Sequence, residues 1–408
     1  MKVLQINSHY DQGGAARIVA CIHRNRLANK EESYVAYGRG RLTNDSQVYY
    51  FGKTTEIYYS ALMSRVFGWN GRYNKAATKR LIKIIEEVKP DLLHIHVLHG
   101  YYLNFELFFD YVNSHKIPCV WTFHDCHAFV GNCGYFFDCR KWEEGCKACP
   151  YLKNYPTSQF FDHTEAMWKK KKELFTAVDN KIIVTPSDWL TEEAKKSFFG
   201  KYDCRTVRNG IDTKNTFYPR DKQKSREKYG YSQDEKIALG IAVGYSDPRK
   251  GAKYIMEAAR NLGDEVKFIL IGWEKSNDNL LQGLTNVETL SRTENVEMLA
   301  EYYSMADVFV LPSLAENYAT VSLESMACGT PVVGFNAGGI PEQLTEGKGI
   351  VVPVADGEAF TKAIREAVNG EVSLLRGEDL AGAIREENSV EHMVAEYKKI
   401  YEELLNKE

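Results

Sequence analysis

The sequence predicts an α/β protein built of two Rossmann-like parallel-sheet domains facing a central cleft. Three observations carry this expectation. The chain of 408 residues is too long for one ordinary core, so two domains of about 200 residues are the starting point. Apolar strand-length runs alternate with amphipathic helical stretches almost from end to end, the pattern of parallel sheets covered by helices on both faces. The alternation also halts at a charged, proline-bearing stretch near the middle and then restarts.

In order along the chain, residues 2–8 (KVLQINS) read as a buried strand, followed by a Gly13-Gly14 turn and a helix over about 15–28. An amphipathic helix spans 74–88 and stops before Pro90; a strand follows at 91–97. Further strands are expected at 119–123 and 181–185, with helices over about 162–177 and 188–199. Residues 209–220, which include Pro219 and run into the charged segment DKQKSREK, form the linker. Strands then recur at 236–243, 266–271, 308–311, 332–335 and 350–352, with helices at 252–262, 295–305, 321–328 and 357–368. The amphipathic stretch 390–405 is one more helix after the second sheet is complete. The expected domains are therefore 1–207, with a cysteine-rich insert at 126–150, and 208–388. Residues 389–408 form a C-terminal helix packing back toward the first domain.

A hydrophobic share of 44% and a charged share of 26% are those of a soluble globular protein, and a net charge of −3 excludes wholesale coating of nucleic acid. The start MKVLQINSHY is a strand pattern rather than a signal peptide, and no apolar run approaches ~18 residues. Nine cysteines, an odd number without a secretion signal, favour a reducing compartment. The expected location is cytoplasmic, with the inner face of the cytoplasmic membrane as a place of peripheral contact.

Ligands of open α/β sheets bind beyond the carboxyl ends of the strands, and three segments there carry chemistry. In AVGYSDPRKG (242–251), Arg249 and Lys250 sit where a strand hands over to a helix, whose first amides and dipole favour an anion. An exposed basic pair at a turn is the plainer reading. In LPSLAENYATVSLESMACGTPVV (311–333), Glu316 lies in a loop and Glu324 in the next helix. Each carboxylate can accept hydrogen bonds from vicinal sugar hydroxyls, and the amides of Ala319, Thr320 and Val321 can hold a phosphate. Surface glutamates on a capped helix are the alternative. In GTPVVGFNAGGIPE (329–342), Gly338-Gly339 lets backbone approach a ligand or simply shapes a loop.

These segments resemble the donor-binding signature of retaining glycosyltransferases of the two-domain GT-B fold, specifically the family-4 group. Glu316 and Glu324, separated by seven residues, and Gly329-Thr330-Pro331-Val332-Val333 fit it. So do Met305-Ala306-Asp307, Asn209-Gly210-Ile211-Asp212, the Gly13-Gly14 turn and Trp121-Thr122-Phe123-His124-Asp125. The resemblance implies that Glu324 holds the donor ribose, Glu316 the donor sugar, and Lys250 with Arg249 the pyrophosphate. It also implies that His124 approaches the transferred sugar from across the cleft. Gly14 and Arg17 would meet donor phosphate and acceptor, and Asn317, Tyr318 and Ala319 would form the loop after Glu316. A nucleotide sugar is then the co-substrate, with UDP commoner than GDP among relatives. Retention of configuration, no catalytic metal and a glycan or lipid-linked acceptor in bacterial polysaccharide assembly follow from the same resemblance. Two departures stand out: the second cation, Arg249, adjoins Lys250 directly, and Asn317-Tyr318-Ala319 replaces the usual Gly-Phe-Gly. Ala319 serves there only if its φ is negative.

Five of the nine cysteines fall in HDCHAFVGNCGYFFDCRKWEEGCKACP (124–150). Little in this loop promises a core, and Cys133, Cys139, Cys146 and Cys149 around a structural Zn²⁺ would order it. Reduced thiols and disulfides are the other two readings. A similar insert occurs in a colanic-acid-like subset of the family. His94 and His96 share one face of a strand and read as satisfied or cleft-lining side chains rather than a metal pair. The run Lys169–Lys172 beside Trp168 is either a solvated helix face or a contact with an anionic membrane. Glycosyl transfer is the favoured function; a nucleotide-sugar 2-epimerase and a non-enzymatic nucleotide-binding scaffold are the alternatives.

Overall fold

The computed structural model describes residues 1–406. The chain divides into two compact units, one of Met1–Arg208 with Met393–Glu408 and one of Asn209–His392. The last two residues of the expected C-terminal segment, 407 and 408, lie outside the described residues.

Unit 1 opens with β1 (Val3–Asn7), α1 (Gly14–Ala28), β2 (Ser33–Tyr37), β3 (Val48–Tyr50), α2 (Thr54–Phe67) and α3 (Lys75–Val88). It continues with β4 (Leu92–Ile95), α4 (Phe105–Ser114), β5 (Cys119–Thr122), α5 (Thr164–Phe175), β6 (Lys181–Thr185), α6 (Asp188–Lys196) and β7 (Asp203–Thr206). The seven strands form one sheet in the order β3-β2-β1-β4-β5-β6-β7, parallel throughout. β1, β4, β5 and β6 are buried along their whole length, as a sheet covered on both faces requires. Leu81 and Ile85 of α3, Phe108 and Phe109 of α4 and Phe175 of α5 pack with Trp121 and Ile183 in one core.

Unit 2 holds α7 (Lys222–Tyr229), β8 (Ile237–Ile241), α8 (Ala252–Leu262), β9 (Lys267–Ile271), β10 (Val287–Leu290), α9 (Val296–Met305) and β11 (Val308–Leu311). α10 (Thr320–Ala327), β12 (Val332–Phe335), α11 (Ile340–Gln343), β13 (Gly349–Val352), α12 (Gly357–Asn369) and α13 (Gly377–Asn388) complete it. Its sheet runs β10-β9-β8-β11-β12-β13, again parallel. α14 (Val390–Leu405) ends the described chain, and from Met393 onward it belongs to unit 1.

In each sheet the strand order reverses once, between β1 and β4 in unit 1 and between β8 and β11 in unit 2. A crevice opens beyond the carboxyl ends of the strands at such a switch point, because the flanking connections leave on opposite faces. Arg249 and Lys250 follow β8, and Glu316 follows β11, so topology alone sends them to one place. No helix of the described residues is long and apolar enough to cross a membrane.

Candidate active site

The two loops at the unit 2 switch point are locked together by backbone. Pro248–Lys250 forms a short 3₁₀ turn capped by Asp247, and Gly251 follows in a left-handed conformation at φ 70° before α8 begins. A Cβ on Gly251 would lie 2.0 Å from the carbonyl oxygen of Pro312, so only glycine lets the loop after β8 sit this close to the end of β11. The Leu314 amide donates to the Arg249 carbonyl at 2.8 Å and closes the junction.

The clamp brings both cations onto one carboxylate. Lys250 Nζ donates to Glu316 Oε2 at 2.7 Å, and Arg249 Nη1 reaches the same oxygen at 3.2 Å and the Ala315 carbonyl at 2.9 Å. Only 18% of the Arg249 side chain and 19% of Lys250 are exposed, which sets aside the reading of a solvated basic pair. Burial alone would raise the Glu316 carboxyl. The Lys250 ammonium, the Arg249 guanidinium and their hydrogen bonds outweigh it and hold the carboxyl at about 2.

Beyond Glu316 the loop is pinned from three sides. Asn209 Nδ2 donates to the Tyr318 carbonyl at 3.3 Å, and Asn388 Nδ2 donates to the Tyr318 hydroxyl at 3.2 Å and to the Asn209 carbonyl at 3.1 Å. Gln343 brackets Ala319, accepting from its N–H at 3.1 Å and donating to its carbonyl at 3.0 Å. Ala319 has φ −70°, so alanine serves in this loop without strain. Its amide is nevertheless spent on Gln343. Of the three amides expected to hold a phosphate, those of Thr320 and Val321 open α10, where no carbonyl of a preceding turn is available. Asn317 is buried, and Glu324 is 2% exposed with Oε2 accepting from the Tyr303 hydroxyl at 3.0 Å. Neither glutamate is the surface side chain of the plainer reading. Tyr303, Gln343 and Asn388 carry no signal in the sequence, whereas Asn209 carries one as part of the Asn-Gly-Ile-Asp stretch.

In unit 1, Gly14 begins α1 and Arg17 stands one turn on, beyond the end of β1; His124 follows β5. β4 lies between those two strands. His124 is half-buried, and its Nε2 lies 3.0 Å from Nδ1 of His96. Burial pushes the His124 imidazole down to about 4, with Asp125 acting weakly against it. His94 and His96 are fully buried and hydrogen-bonded, the former to Thr122 and Tyr401.

Cys133, Cys139, Cys146 and Cys149 line one cavity of about 20 Å³, but among the described residues no group of three or more His, Cys, Asp or Glu side chains is placed to hold a metal ion. Against expectation, the insert does have a core. Phe129, Val130, Phe136 and Trp142 are buried, Trp168 Nε1 donates to the Trp142 carbonyl at 2.8 Å, and the cysteines are free thiols. The lysine run also divides. Lys171 is buried and donates to the carbonyls of His127 and Val130 at 2.6 and 3.0 Å, whereas Lys169 and Lys170 pair with Glu165, Glu106 and Glu173.

A model described as Glycosyltransferase Family 4 matches residues 13–215, and one described as Glycosyl transferases group 1 matches residues 221–387. WcaC of Escherichia coli K12, named as a glycosyl transferase of colanic acid biosynthesis, is 28% identical over 374 residues, 86% of this chain and 87% of that one. Sucrose-phosphate synthase from Thermosynechococcus elongatus superposes with a TM-score of 0.73 at 16% identity, over 100% of both chains. HepE of Anabaena, in complex with UDP-glucose, does so with a TM-score of 0.67 at 14% identity, over 99% of this chain and 100% of that one. Two parallel-sheet units of this kind give the GT-B fold of these structural neighbours. The chain belongs to the glycosyltransferases that join a family 4 domain to a group 1 domain. That assignment does not favour the epimerase and scaffold alternatives.

Proposed function

We propose that the protein transfers a sugar, with retention of configuration, from a UDP-sugar to a glycan or lipid-linked acceptor in polysaccharide assembly. The observation that carries this reading is the pair Arg249 and Lys250 converging on Glu316 at the switch point of unit 2. A departing nucleoside diphosphate gains negative charge as the glycosidic bond breaks, and cations already in place stabilise that charge without reorganising. Lys250 and Arg249 take this role, joined by the amides of Thr320 and Val321. The ionised Glu316 accepts hydroxyls of the transferred sugar. Glu324, held by Tyr303, accepts the ribose hydroxyls. His124 serves the transferred sugar, and Gly14 and Arg17 the donor phosphate and acceptor. The complex of HepE with UDP-glucose favours uracil as the base, and the name of WcaC favours a polysaccharide product. The reaction belongs to the cytoplasm, at the membrane face where a lipid-linked acceptor would be met.

The test is a thermal-shift panel of UDP, GDP, ADP and dTDP on the wild type and on Lys250→Ala. A nucleotide at ~100 times its dissociation constant adds roughly 2.7 kcal/mol to stability. UDP is expected to shift the wild type and not the variant. A shift by GDP alone would overturn the base assignment, and an undiminished shift in Lys250→Ala would overturn the site.

A further inference from the structure

In unit 1, α2 is turned the wrong way round for a helix that meets only water. Its buried face is Ile57, Ser60 and Ser64, at helical spacing, whereas Tyr58, Tyr59, Leu62 and Phe67 stand exposed. The Ser64 hydroxyl is buried with no hydrogen-bond partner, so the polar side of the helix faces the protein and the apolar side does not. The segment before α5 extends the exposed side. Phe160 is 72% exposed, and the ring of its neighbour Phe161 stacks on Phe67 with centroids 6.4 Å apart and planes 9° from parallel. Backbone holds the two segments together. The Gln159 amide donates to the Arg65 carbonyl at 2.7 Å, and the Ser158 hydroxyl donates to the Phe161 carbonyl at 2.6 Å. The exposed rings of α2 and of 160–161 therefore belong to one surface.

Charge decides what covers this face. Lys53 before α2, Arg65 within it, Arg72 beyond its end and Lys153 ahead of the phenylalanine pair are all exposed. Among the described residues no carboxylate pairs with any of them. Arg65 lies over the Tyr101 ring at 6.0 Å, Arg72 over Trp69 at 5.2 Å, and Lys153 donates to the Gln159 carbonyl. The nearby acids are engaged: Arg80 holds both oxygens of Glu56, and Asp162 accepts from the amides of Cys149 and Thr164. A second copy packed on the same face would set these cations against one another. A leaflet with anionic lipids supplies the opposite sign, and tyrosine, an apolar ring with a polar tip, suits the boundary between headgroups and acyl chains. The lysine run of α5 offers less, since Lys171 is buried and Lys169 and Lys170 pair with glutamates.

We propose that α2 and the 160–161 segment are the surface by which the protein docks on an anionic lipid bilayer. Tyr58, Tyr59, Leu62, Phe67, Phe160 and Phe161 enter the headgroup boundary, and Lys53, Arg65, Arg72 and Lys153 lie against lipid phosphates. The proposal deepens the reading of a lipid-linked acceptor met at a membrane, by naming the face that meets it, and it is tested without any sugar donor. Each Lys or Arg beside an anionic leaflet strengthens partitioning roughly fivefold, an effect that salt screens, whereas burial of the rings is not screened. Docking should therefore depend on lipid charge, on salt and on the rings together.

The experiment is flotation of the full chain with vesicles of phosphatidylcholine, with and without phosphatidylglycerol. The wild type is expected to bind the anionic vesicles about tenfold or more tightly than the neutral ones, with the difference closing in high salt. Tyr58→Ser combined with Leu62→Ser, and separately Lys53→Gln combined with Arg65→Gln, are each expected to weaken binding about tenfold. Lys169→Gln combined with Lys170→Gln should leave it unchanged. No flotation, equal binding to both vesicles, undiminished binding by the α2 variants, or loss of binding in the α5 variant overturns the proposal. So does a wild-type dimer in sedimentation equilibrium that Tyr58→Ser with Leu62→Ser dissociates, because the face would then belong to a second copy. Hydrogen exchange on the wild type covers a variant that does not fold: the amides of 54–67 and 159–162 should exchange more slowly once anionic vesicles are added, and unchanged exchange there overturns the proposal. Failure of the donor reading is separately visible, as a chain that floats with anionic vesicles yet answers no nucleotide in the thermal-shift panel.

Discussion

Glu316 is the residue at which charge and burial meet. Its carboxyl is held at about 2 in the folded chain against an ordinary value of 4.5. The folded state therefore binds a proton less readily than the unfolded state, and the resulting stabilisation is fully present above pH ~4.5. It is lost as the pH falls through that value toward 2, and a shift of this size corresponds to roughly 3 kcal/mol. Glu316→Gln removes the titrating group while keeping the shape of the side chain. The stability gap between wild type and Glu316→Gln, followed by urea denaturation, is expected to narrow as the pH falls from 6 to 3; a gap independent of pH would show that the two cations do not control this carboxyl. The candidate site residues that the sequence marks are those whose chemistry is carried by type and position, Lys250, Glu316 and Glu324 above all. Tyr303, Gln343 and Asn388 were not legible, because a tyrosine on an amphipathic helix or an amide at a helix end looks the same whether it faces core, solvent or a carboxylate. His96 reads in the sequence as a satisfied or cleft-lining histidine, and the structure buries and hydrogen-bonds it. What it satisfies depends on Gln5, 91 positions away, and no local pattern links the two.

At the level of elements, legibility follows burial. The central strands β1, β4, β5, β6, β8, β9, β11 and β12 read as apolar runs because both of their faces are covered. β3, β7 and β10 stand at sheet edges, are half-buried throughout and carry sequences such as DCRT and VETL that no periodicity separates from a loop. α2 was missed for a related reason, since its Tyr58, Tyr59 and Leu62 are exposed, whereas β2 is an exception, missed although Ser33, Val35, Ala36 and Tyr37 are buried. The insert misled in the opposite direction, its cysteines drawing attention from Phe129, Phe136 and Trp142, which hold it. The junction of β8 and β11 yields a prediction of its own. Gly251→Ala meets both a left-handed backbone and the Pro312 carbonyl, whereas Gly283→Ala meets only a left-handed backbone at φ 77° with open space around it. The strain of such a backbone is about 1–3 kcal/mol. In denaturant titrations Gly283→Ala should lose no more than that. Gly251→Ala should lose more and also forfeit the nucleotide response, because Lys250 moves with the loop. Equal losses in the two variants would mean that the close approach does not hold the site.

The whole molecule is threaded so that the chain completes unit 1 only after unit 2 has been made. α14 returns to unit 1 with Met393, Val394, Tyr397, Ile400, Tyr401 and Leu404 buried. Tyr401 hydrogen-bonds His94 at 2.7 Å, Tyr397 meets Thr122 at 2.9 Å, Lys398 pairs with Glu31 and Glu403 with Arg205. The exposed pairs contribute little. Burial of six large side chains, at ~1.5–3 kcal/mol each, is on the order of 10 kcal/mol, comparable with the entire stability of a domain. A chain ending at His392 would therefore leave unit 1 without its last covering helix and the buried histidines without two partners, while every residue of unit 2 remains. In scanning calorimetry the transition of unit 1 is expected to fall steeply or vanish. The transition of unit 2 should persist and still rise with added UDP, since Lys250, Glu316 and Glu324 all lie within it. Loss of the UDP response alone would place α14 in the donor site rather than in the frame of unit 1, and two unshifted transitions would mean that the sheet of unit 1 is complete without it.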